Sequence, residues 1–196
     1  MASSLAIAAT GQAVLGILAS ACPRDIFPSA QFELYQSRNF QSPMEEGVSL
    51  YLHRVTPANN IRNLPPRVAP DGRRYRPALP IDLHYMMTAW ARDSTQQNKL
   101  LGWAMRCVED TSNLPSGVLN EFSPEPEVFR VGESVDLIME TVTVQDHLAV
   151  WEIGKPNIQP SIYYTARMII LESALELHEN AQVQTRTFDA GQLVLK

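Results

Sequence analysis

The segment that most constrains the fold is "PIDLHYMMTAWA" at residues 80–91, a nearly unbroken run of apolar residues. In an extended chain, successive side chains point to opposite faces. One face then carries Ile81, Leu83, Tyr85 and Met87, and the other carries Asp82, His84, Met86 and Trp90. Because apolar residues occupy both faces, the pattern predicts a central strand that other elements cover on both sides.

Hydrophobic periodicity and turn signals place the other elements. Alternating or β-branched segments predict strands at residues 31–36, 47–57, 133–141 and 161–173. Helical periodicity predicts helices at residues 3–21, 94–110 and 143–151, with N-terminal caps at Ser94 and Thr143. Several prolines mark residues 58–79 and 111–133 as loops. Within the strand at 47–57, we expect Tyr51, His53 and Val55 to share one face.

This order of elements predicts the α+β class. We expect a single domain with a mixed, mainly antiparallel sheet of about five strands flanked by helices. The domain is expected to cover residues 1–180, and residues 181–196 are expected to form a C-terminal tail or an edge strand. No basic residue precedes the apolar stretch at 3–21, so we interpret it as a helix of the core rather than a signal peptide.

The composition argues against several classes of function. The formal net charge is -5, which makes the chain as a whole a poor binder of nucleic acid or of anionic membranes. Its two cysteines, Cys22 and Cys107, are far apart in sequence, and no Cys and His pattern has the spacing of a zinc site. Glycine-rich nucleotide loops and the common hydrolase motifs are missing. We therefore expect a protein that is not an enzyme and has no catalytic residues, metal or cofactor.

The most distinctive feature is an arginine-rich arm at residues 62–76. It carries five arginines and one aspartate, a net charge of +4, and the arginines are Arg62, Arg67, Arg73, Arg74 and Arg76. Residues 121–140 carry six acids and one arginine, a net charge of -5. Opposite charges of similar size in one chain favour head-to-tail docking between copies. We therefore predict subunit contacts at these arginines and at Glu121, Glu125, Glu127 and Glu133.

Two other interpretations of the arm remain open. The same arginines could form a nucleic-acid or polyanion-binding module, which would bind with a steep dependence on salt. The arm could also be a solvated loop without a partner. Its prolines reduce the conformational entropy that is lost on docking, which favours the subunit contact.

One group of residues resembles a metal site. If the two strands that carry them pair, His53, Asp82 and His84 come close together, and two histidines with an aspartate could ligate a metal ion. The alternative is that His84 is a core histidine bonded to Asp82 or to the backbone. We favour the alternative because no further ligand is evident in the sequence.

Several segments in a fixed order resemble a known family. They are "LYLHRVTPANNIRN", "GRRYRPALPIDLHYMMTAWA", "LLGWAMRCVED", "TVQDHLAVW" and "SIYYTARMIILES", and together they span about residues 4–175. The family is that of the tail-terminator or cap proteins of contractile injection systems, of the antifeeding-prophage and Photorhabdus virulence cassette kind. Some members continue into a C-terminal extension, whereas the last predicted strand of this sequence, at residues 161–173, lies close to its end.

The resemblance implies a structural role. It implies a homohexameric ring that sits on the end of the inner tube and sheath, stops their polymerisation and stays as the cap of the particle. The implied partners are other copies of the chain and the tube and sheath proteins, with no nucleic acid, and contact with a membrane is left open. The implied location is the bacterial cytoplasm during assembly and then the injection particle.

Overall fold

A six-stranded sheet is the centre of the computed structural model, which describes residues 2–58 and 64–177. The helices are α1 (Ala6–Ala21), α2 (Ser94–Asp110), α3 (Ser116–Glu121) and α4 (Val144–Trp151), with two 3-10 turns at Ser37–Gln41 and Glu152–Gly154. The strands are β1 (Gln31–Leu34), β2 (Gly47–Pro57), β3 (Arg67–Val68), β4 (Arg74–Tyr75), β5 (Leu79–Trp90), β6 (Asn113–Pro115), β7 (Ser134–Glu140) and β8 (Ser161–Leu171).

The main sheet is mixed and mainly antiparallel. Its strand order is β1-β2-β5-β8-β7-β6, and β3 and β4 form a separate two-stranded sheet. Among the described residues, β1 and β2 form the only parallel strand pair of this sheet, and its other pairs are antiparallel. The predicted α+β class is confirmed, and the predicted number of about five strands is close to the six observed in the main sheet.

The first face of the sheet is covered by helices α1, α2 and α3. The apolar residues of β5 on this face, from Ile81 to Met87 at every second position, lie in one large core cluster with Leu18 of α1 and Leu100 of α2. Helix α1 is therefore a core helix, as predicted. No helix within residues 2–58 and 64–177 is long and apolar enough to cross a membrane.

The second face carries a smaller aromatic core. Met86 and Trp90 of β5 pack there with Phe40, Trp151 and Tyr163. The ring centroids of Phe40 and Trp151 are 5.4 Å apart at an interplanar angle of 79°, an edge-to-face arrangement that aromatic rings favour. Both faces of β5 are thus covered, and the prediction of a central strand is confirmed.

A bulge in β2 changes the predicted alternation. Leu52 pairs with Tyr85 and Arg54 pairs with His84, so the register shifts by one residue at His53. Residues that pair directly share a face, so Arg54 lies on the second face and Val55, opposite Leu83, lies on the first. The prediction that Val55 shares a face with Tyr51 is therefore wrong, because the extra residue reverses the alternation that follows it.

Three further expectations need correction. The predicted loop at 111–133 contains β6 and α3, which are too short to show a period in the sequence. The predicted loop at 58–79 contains the hairpin of β3 and β4. Helix α2 is capped by Asp93 and not by Ser94, since the Asp93 side chain accepts a hydrogen bond from the Gln96 amide at 2.9 Å. The Thr143 cap of α4 is confirmed, with Thr143 Oγ1 accepting from the Asp146 amide at 3.1 Å.

Candidate interaction surface

The arginine-rich arm forms a hairpin because its turn residues allow one. Gly72 has φ +85°, in the left-handed region that glycine adopts without a steric penalty. Its amide donates to the Ala69 carbonyl at 2.9 Å, and the Ala69 amide donates to the Arg73 carbonyl at 2.8 Å. The Asp71 carboxylate accepts from the Arg73 amide at 3.0 Å. The sequence Asp71-Gly72 therefore closes a tight turn between β3 and β4.

The hairpin is joined to the chain that follows β8. Tyr75 forms a β-bridge with Glu176. The Arg76 amide donates to the Leu175 carbonyl at 2.9 Å, and the Leu177 amide donates to the Arg74 carbonyl at 2.7 Å. The arm is thus one part of a three-segment ribbon, and its side chains have defined directions.

Among the predicted contact arginines, Arg67 and Arg73 make contacts within the chain on one face of the arm. The guanidinium of Arg67 lies 4.1 Å from the centroid of the Tyr75 ring, and its Nη2 is 3.8 Å from Glu172 Oε2. Arg73 donates to Asp71 from Nε at 2.6 Å and to Glu176 from Nη1 at 3.0 Å. Hydrogen bonds from the backbone amide and the side chain of Arg73 lower the pKa of Asp71. The side-chain hydrogen bonds of Arg73 to Asp71 and Glu176 raise the pKa of Arg73. This face of the arm is occupied inside one molecule.

The opposite face of the arm points to solvent. Val68 pairs with Arg74, so these side chains lie on the face away from Arg67 and Tyr75. Arg74 and Arg76 are exposed, Val68 is 62% exposed, and Leu175 beside Arg76 is 60% exposed. This combination of exposed cations and exposed apolar side chains is typical of interaction surfaces. We call the surface formed by Val68, Arg74, Arg76 and Leu175 the outward arm face. Arg62 lies outside the described residues.

The predicted acidic contacts also fall into two groups. Glu121 ends α3, and Glu125 and Glu127 lie in the exposed loop that follows it. That loop is anchored by the buried residues 128–129, where Asn120 exchanges two hydrogen bonds with the Phe129 backbone at 2.7 and 2.9 Å. Glu133 instead accepts from the Arg130 amide at 2.8 Å, which fixes the local turn.

The acids that meet the arm within one molecule are ones the sequence analysis missed. Glu172 Oε2 accepts from Arg130 Nη2 at 2.8 Å and lies near Arg67, so it stands between the acidic segment and the arm. Glu176 holds Arg73. The signal available in the sequence was the pair of glutamates in "ESALE", of which Glu172 lies at the end of the last predicted strand and Glu176 shortly after it.

The suspected metal site is a network of structural hydrogen bonds. His84 is buried, with Nδ1 3.1 Å from Glu140 Oε2 and 3.0 Å from Thr165 Oγ1, and Nε2 2.9 Å from Thr56 Oγ1. Asp82 is turned away and accepts from the Met168 amide at 2.8 Å. Within the described part of the chain, no three Cys, His, Asp or Glu side chains form a group that could hold a metal ion. The interpretation of His84 as a buried, hydrogen-bonded core histidine is confirmed. The predicted partners are wrong, since His84 bonds to Glu140 and two threonines, and Asp82 bonds to the Met168 amide instead.

A cavity of about 450 Å³ lies between α4 and the second face of the sheet. Its floor includes Tyr51, His53 and Tyr163. The charged residues that line it are Arg54, Glu140 and Asp146. Burial, followed by the positive charge of Arg54, lowers the pKa of His53 to about 4, so this ring is neutral at physiological pH. Hydrogen bonds from Thr165 and His84 outweigh the effect of burial and lower the pKa of Glu140, which keeps it ionised.

Comparison with known proteins places the fold. The chain matches a "sheath/tube terminator in extended state" of an extracellular contractile injection system, PVC, with a TM-score of 0.57 and 14% identity over 97% of this chain. It matches the tube-terminating cap of the anti-feeding prophage with a TM-score of 0.57 and 12% identity over 91% of this chain. The matches cover 63% and 60% of those two chains. No curated protein matches the sequence.

The sequence itself carries the family assignment. Residues 10–185 match the family described as the Pvc16 N-terminal domain, which is most of the chain. The resemblance drawn from the ordered segments is thereby confirmed. The chain belongs to the Pvc16 N-terminal domain family.

Proposed function

We propose that this protein is a structural cap that terminates the tube and sheath of a contractile injection particle. The observation that carries the proposal is the match of almost the whole fold to two terminator proteins, together with the family assignment over residues 10–185. The protein acts by binding and not by catalysis. Its buried polar groups support this, since His84 and Glu140 bind each other and nearby threonines.

The cap is a homohexameric ring made of copies of this chain. Its lateral contacts join the outward arm face, with Arg74 and Arg76, to the exposed acids Glu121, Glu125 and Glu127 of the next copy. Arg67, Arg73 and Glu133 hold these two surfaces in shape, through the contacts with Tyr75, Glu176 and the Arg130 amide. Opposite charges on two surfaces of one chain suit a head-to-tail ring, because every copy then makes both contacts.

The ring binds the last layer of tube and sheath subunits and so stops their polymerisation. It assembles in the bacterial cytoplasm and remains part of the injection particle. Its domain comprises residues 1–180, and residues 181–196, which lie outside the described residues, follow as a tail or edge strand. No cofactor takes part in this role.

The direct test is a capping assay with the inner tube protein of the same particle. Tubes grown with the purified chain should be shorter and should carry extra density at one end in electron micrographs. Unchanged tube length with no bound ends would overturn the capping role. Tight binding of duplex DNA, with affinity falling steeply as salt rises, would instead support a polyanion-binding module.

The ring is tested separately by light scattering after size exclusion. We expect a species near six times 21.9 kDa, and the double variant R74E/R76E should lower its mass at moderate salt. The matched control is R106E, which reverses an exposed arginine of α2 that pairs with Asp110. An unchanged mass for R74E/R76E would show that the outward arm face is not the lateral contact.

A further inference from the structure

The cavity between α4 and the second face of the sheet is built to take one particular kind of side chain. We propose that it is a socket for an arginine side chain, and that a second copy of this chain supplies it from the outward arm face, through Arg76. This inference rests on the proposed ring and refines it: Arg76 is assigned to the socket, and the exposed acids Glu121, Glu125 and Glu127 attract the arm by their charge without binding Arg76 directly. The socket is lined by Tyr51, His53, Glu140, Asp146 and Tyr163, with apolar side chains of α4 as its opposite wall.

The shape and lining of the socket suit a guanidinium group on an aliphatic stem. Val150 and Ile153 offer apolar surface for the methylene groups, and the ring of the partly exposed Tyr51 lines the cavity beside the place of the planar head. An ammonium group could use the charge but not the planar stacking. The chemistry therefore favours arginine over lysine.

The socket also offers hydrogen-bond acceptors that are not saturated. A carboxylate has about four lone-pair sites, and Glu140 uses two of them on His84 and Thr165 while its side chain stays 31% exposed. Asp146 is exposed at the mouth of the cavity. The two carboxylates could thus bind two edges of one guanidinium.

His53 provides a second and independent sign of a missing partner. Its Nε2 is enclosed by the protein and has no hydrogen-bond partner among the described residues. Enclosed polar atoms are rarely left without a partner, because the atom has lost its hydrogen bonds to water and has gained none in the protein. The ring is neutral at physiological pH, so it does not repel the charge of an arriving guanidinium.

Arg54 is the one cation among the described residues that line the cavity, and the lining still carries a net negative charge. Its Nη2 lies 3.5 Å from His84 Nδ1, so its head is directed toward the buried network beside the cavity. The described lining carries one positive charge, on Arg54, and two negative charges, on Glu140 and Asp146, so its net charge is -1. A cationic occupant removes this excess, and an anionic one would increase it.

The chain itself carries a suitable donor. Arg76 is exposed, it follows directly on β4, and no ion pair joins it to another residue in the described ranges. Its backbone is fixed to Leu175, so the side chain is presented from a rigid ribbon and loses less entropy on docking. No hydrogen bond or ion pair connects Arg76 with the socket of the same molecule within the described ranges. A second copy is therefore the source we infer.

The first experiment fills the socket. A149W places a large side chain in the cavity from α4, and Q145W places the same side chain on α4 outside the lining. We expect A149W to weaken self-association at least tenfold in Kd by sedimentation, and Q145W to leave it unchanged. R76A should weaken it to a similar degree, and R76A/A149W should be no weaker than either single variant, because both remove the same contact.

The second experiment does not depend on how A149W folds. A peptide with the sequence of residues 64–79 is titrated into the full chain by calorimetry. We expect binding that falls at least fivefold when Arg76 of the peptide is replaced by Lys, and likewise when Asp146 of the protein is replaced by Asn. That substitution keeps the backbone N–H of residue 146, which donates to Thr143 Oγ1, so the N-terminal cap of helix α4 should be preserved.

The outcomes separate the socket from the proposed function. If A149W associates like the wild type, or if the Lys peptide binds as well as the Arg peptide, the socket proposal is wrong. In that case the wild-type chain would still cap tubes and form its ring. If the wild-type chain neither caps tubes nor associates, and the peptide does not bind, both proposals fail.

Discussion

The guanidinium of Arg73 lies 3.0 Å from a carboxylate oxygen of Glu176, although the two residues are 103 positions apart in sequence. This contact joins the arm to the chain that follows β8. Together with the backbone bonds of Arg76 and Leu177, it turns a proline-rich segment into part of the folded domain. The arm therefore has an inward face that contacts the rest of the molecule and an outward face with exposed side chains.

Removing the Arg73 side chain should loosen the arm without unfolding the domain. We expect R73A to increase hydrogen exchange of the Arg76 and Leu177 amides, which form the bonds between the arm and the chain after β8. The melting temperature should hardly change, because Arg73 and Glu176 are both well exposed and exposed ion pairs contribute little to stability. Exchange measured residue by residue by NMR tests this.

The control for that variant is R106A, which removes an exposed pair on α2 far from the arm in sequence. It should leave both amides protected. If R73A also leaves them protected, the backbone bonds alone fix the arm.

Two helical glycines should respond to alanine in opposite directions. A Cβ at Gly16 of α1 would lie 2.2 Å from the Phe122 ring, whereas a Cβ at Gly102 of α2 would meet nothing within 4 Å. G16A should therefore lower the free energy of unfolding by about 1–3 kcal/mol through overpacking. G102A should raise it by about 0.5–1 kcal/mol, because alanine is the better helix former. Urea titrations of both variants test the pair, and a stabilising G16A would contradict the close approach of α1 to Phe122.

The long elements could be predicted from the sequence because each carries its own period. The alternation of residues 80–91 identified the central strand and both of its faces, and the stripe through Leu100, Ala104 and Val108 identified α2. The short elements could not be predicted. Strand β6 has 3 residues and α3 has 6, so neither completes enough of a period to be recognised. The bulge at His53 has no local signal, since it is a register between two strands.

The candidate site was predicted in part for the same reason. A cluster of arginines is visible in the sequence, so the arm was predicted to be an interaction surface, and its role in binding stays a prediction. Which face of the arm each arginine lies on depends on the pairing of β4 with β3 and with residues 175–177, and the latter lie about 100 positions later in the sequence. The socket combines Tyr51 with Glu140 and Asp146, which only the sheet order β2-β5-β8-β7 brings near each other. Non-local geometry of this kind leaves no mark on local composition.

The aromatic core of the second face should depend on Trp151. This side chain is fully buried and contacts the rings of Phe40 and Trp90, with centroid distances of 5.4 and 6.1 Å. W151A should cost about 3–5 kcal/mol in unfolding free energy, the usual range for a large buried aromatic residue. V144A on the same helix should be nearly neutral, because Val144 is 75% exposed. Denaturant unfolding of the two variants makes the comparison, and a cost near that of V144A would mean that α4 contributes little to the fold.

The pH dependence of stability should contain a contribution from His53. Its pKa is about 4 in the folded chain and 6.5 in the unfolded reference, because burial and Arg54 disfavour the charged ring. Between these values the unfolded chain binds the extra proton, so stability is full above about pH 6.5 and is lost as the pH falls toward 4. Replacing His53 by Phe removes this titration, and H53F should lose less stability than the wild type between pH 7 and pH 5. Urea midpoints of both proteins at the two pH values test this.

Glu140 does not interfere with this comparison. Because its pKa is lowered in the folded chain, the stability that it contributes is lost only below its ordinary pKa of 4.5. Parallel pH dependences in the two proteins would mean that His53 titrates normally, and that the cavity floor is wetter than its geometry indicates.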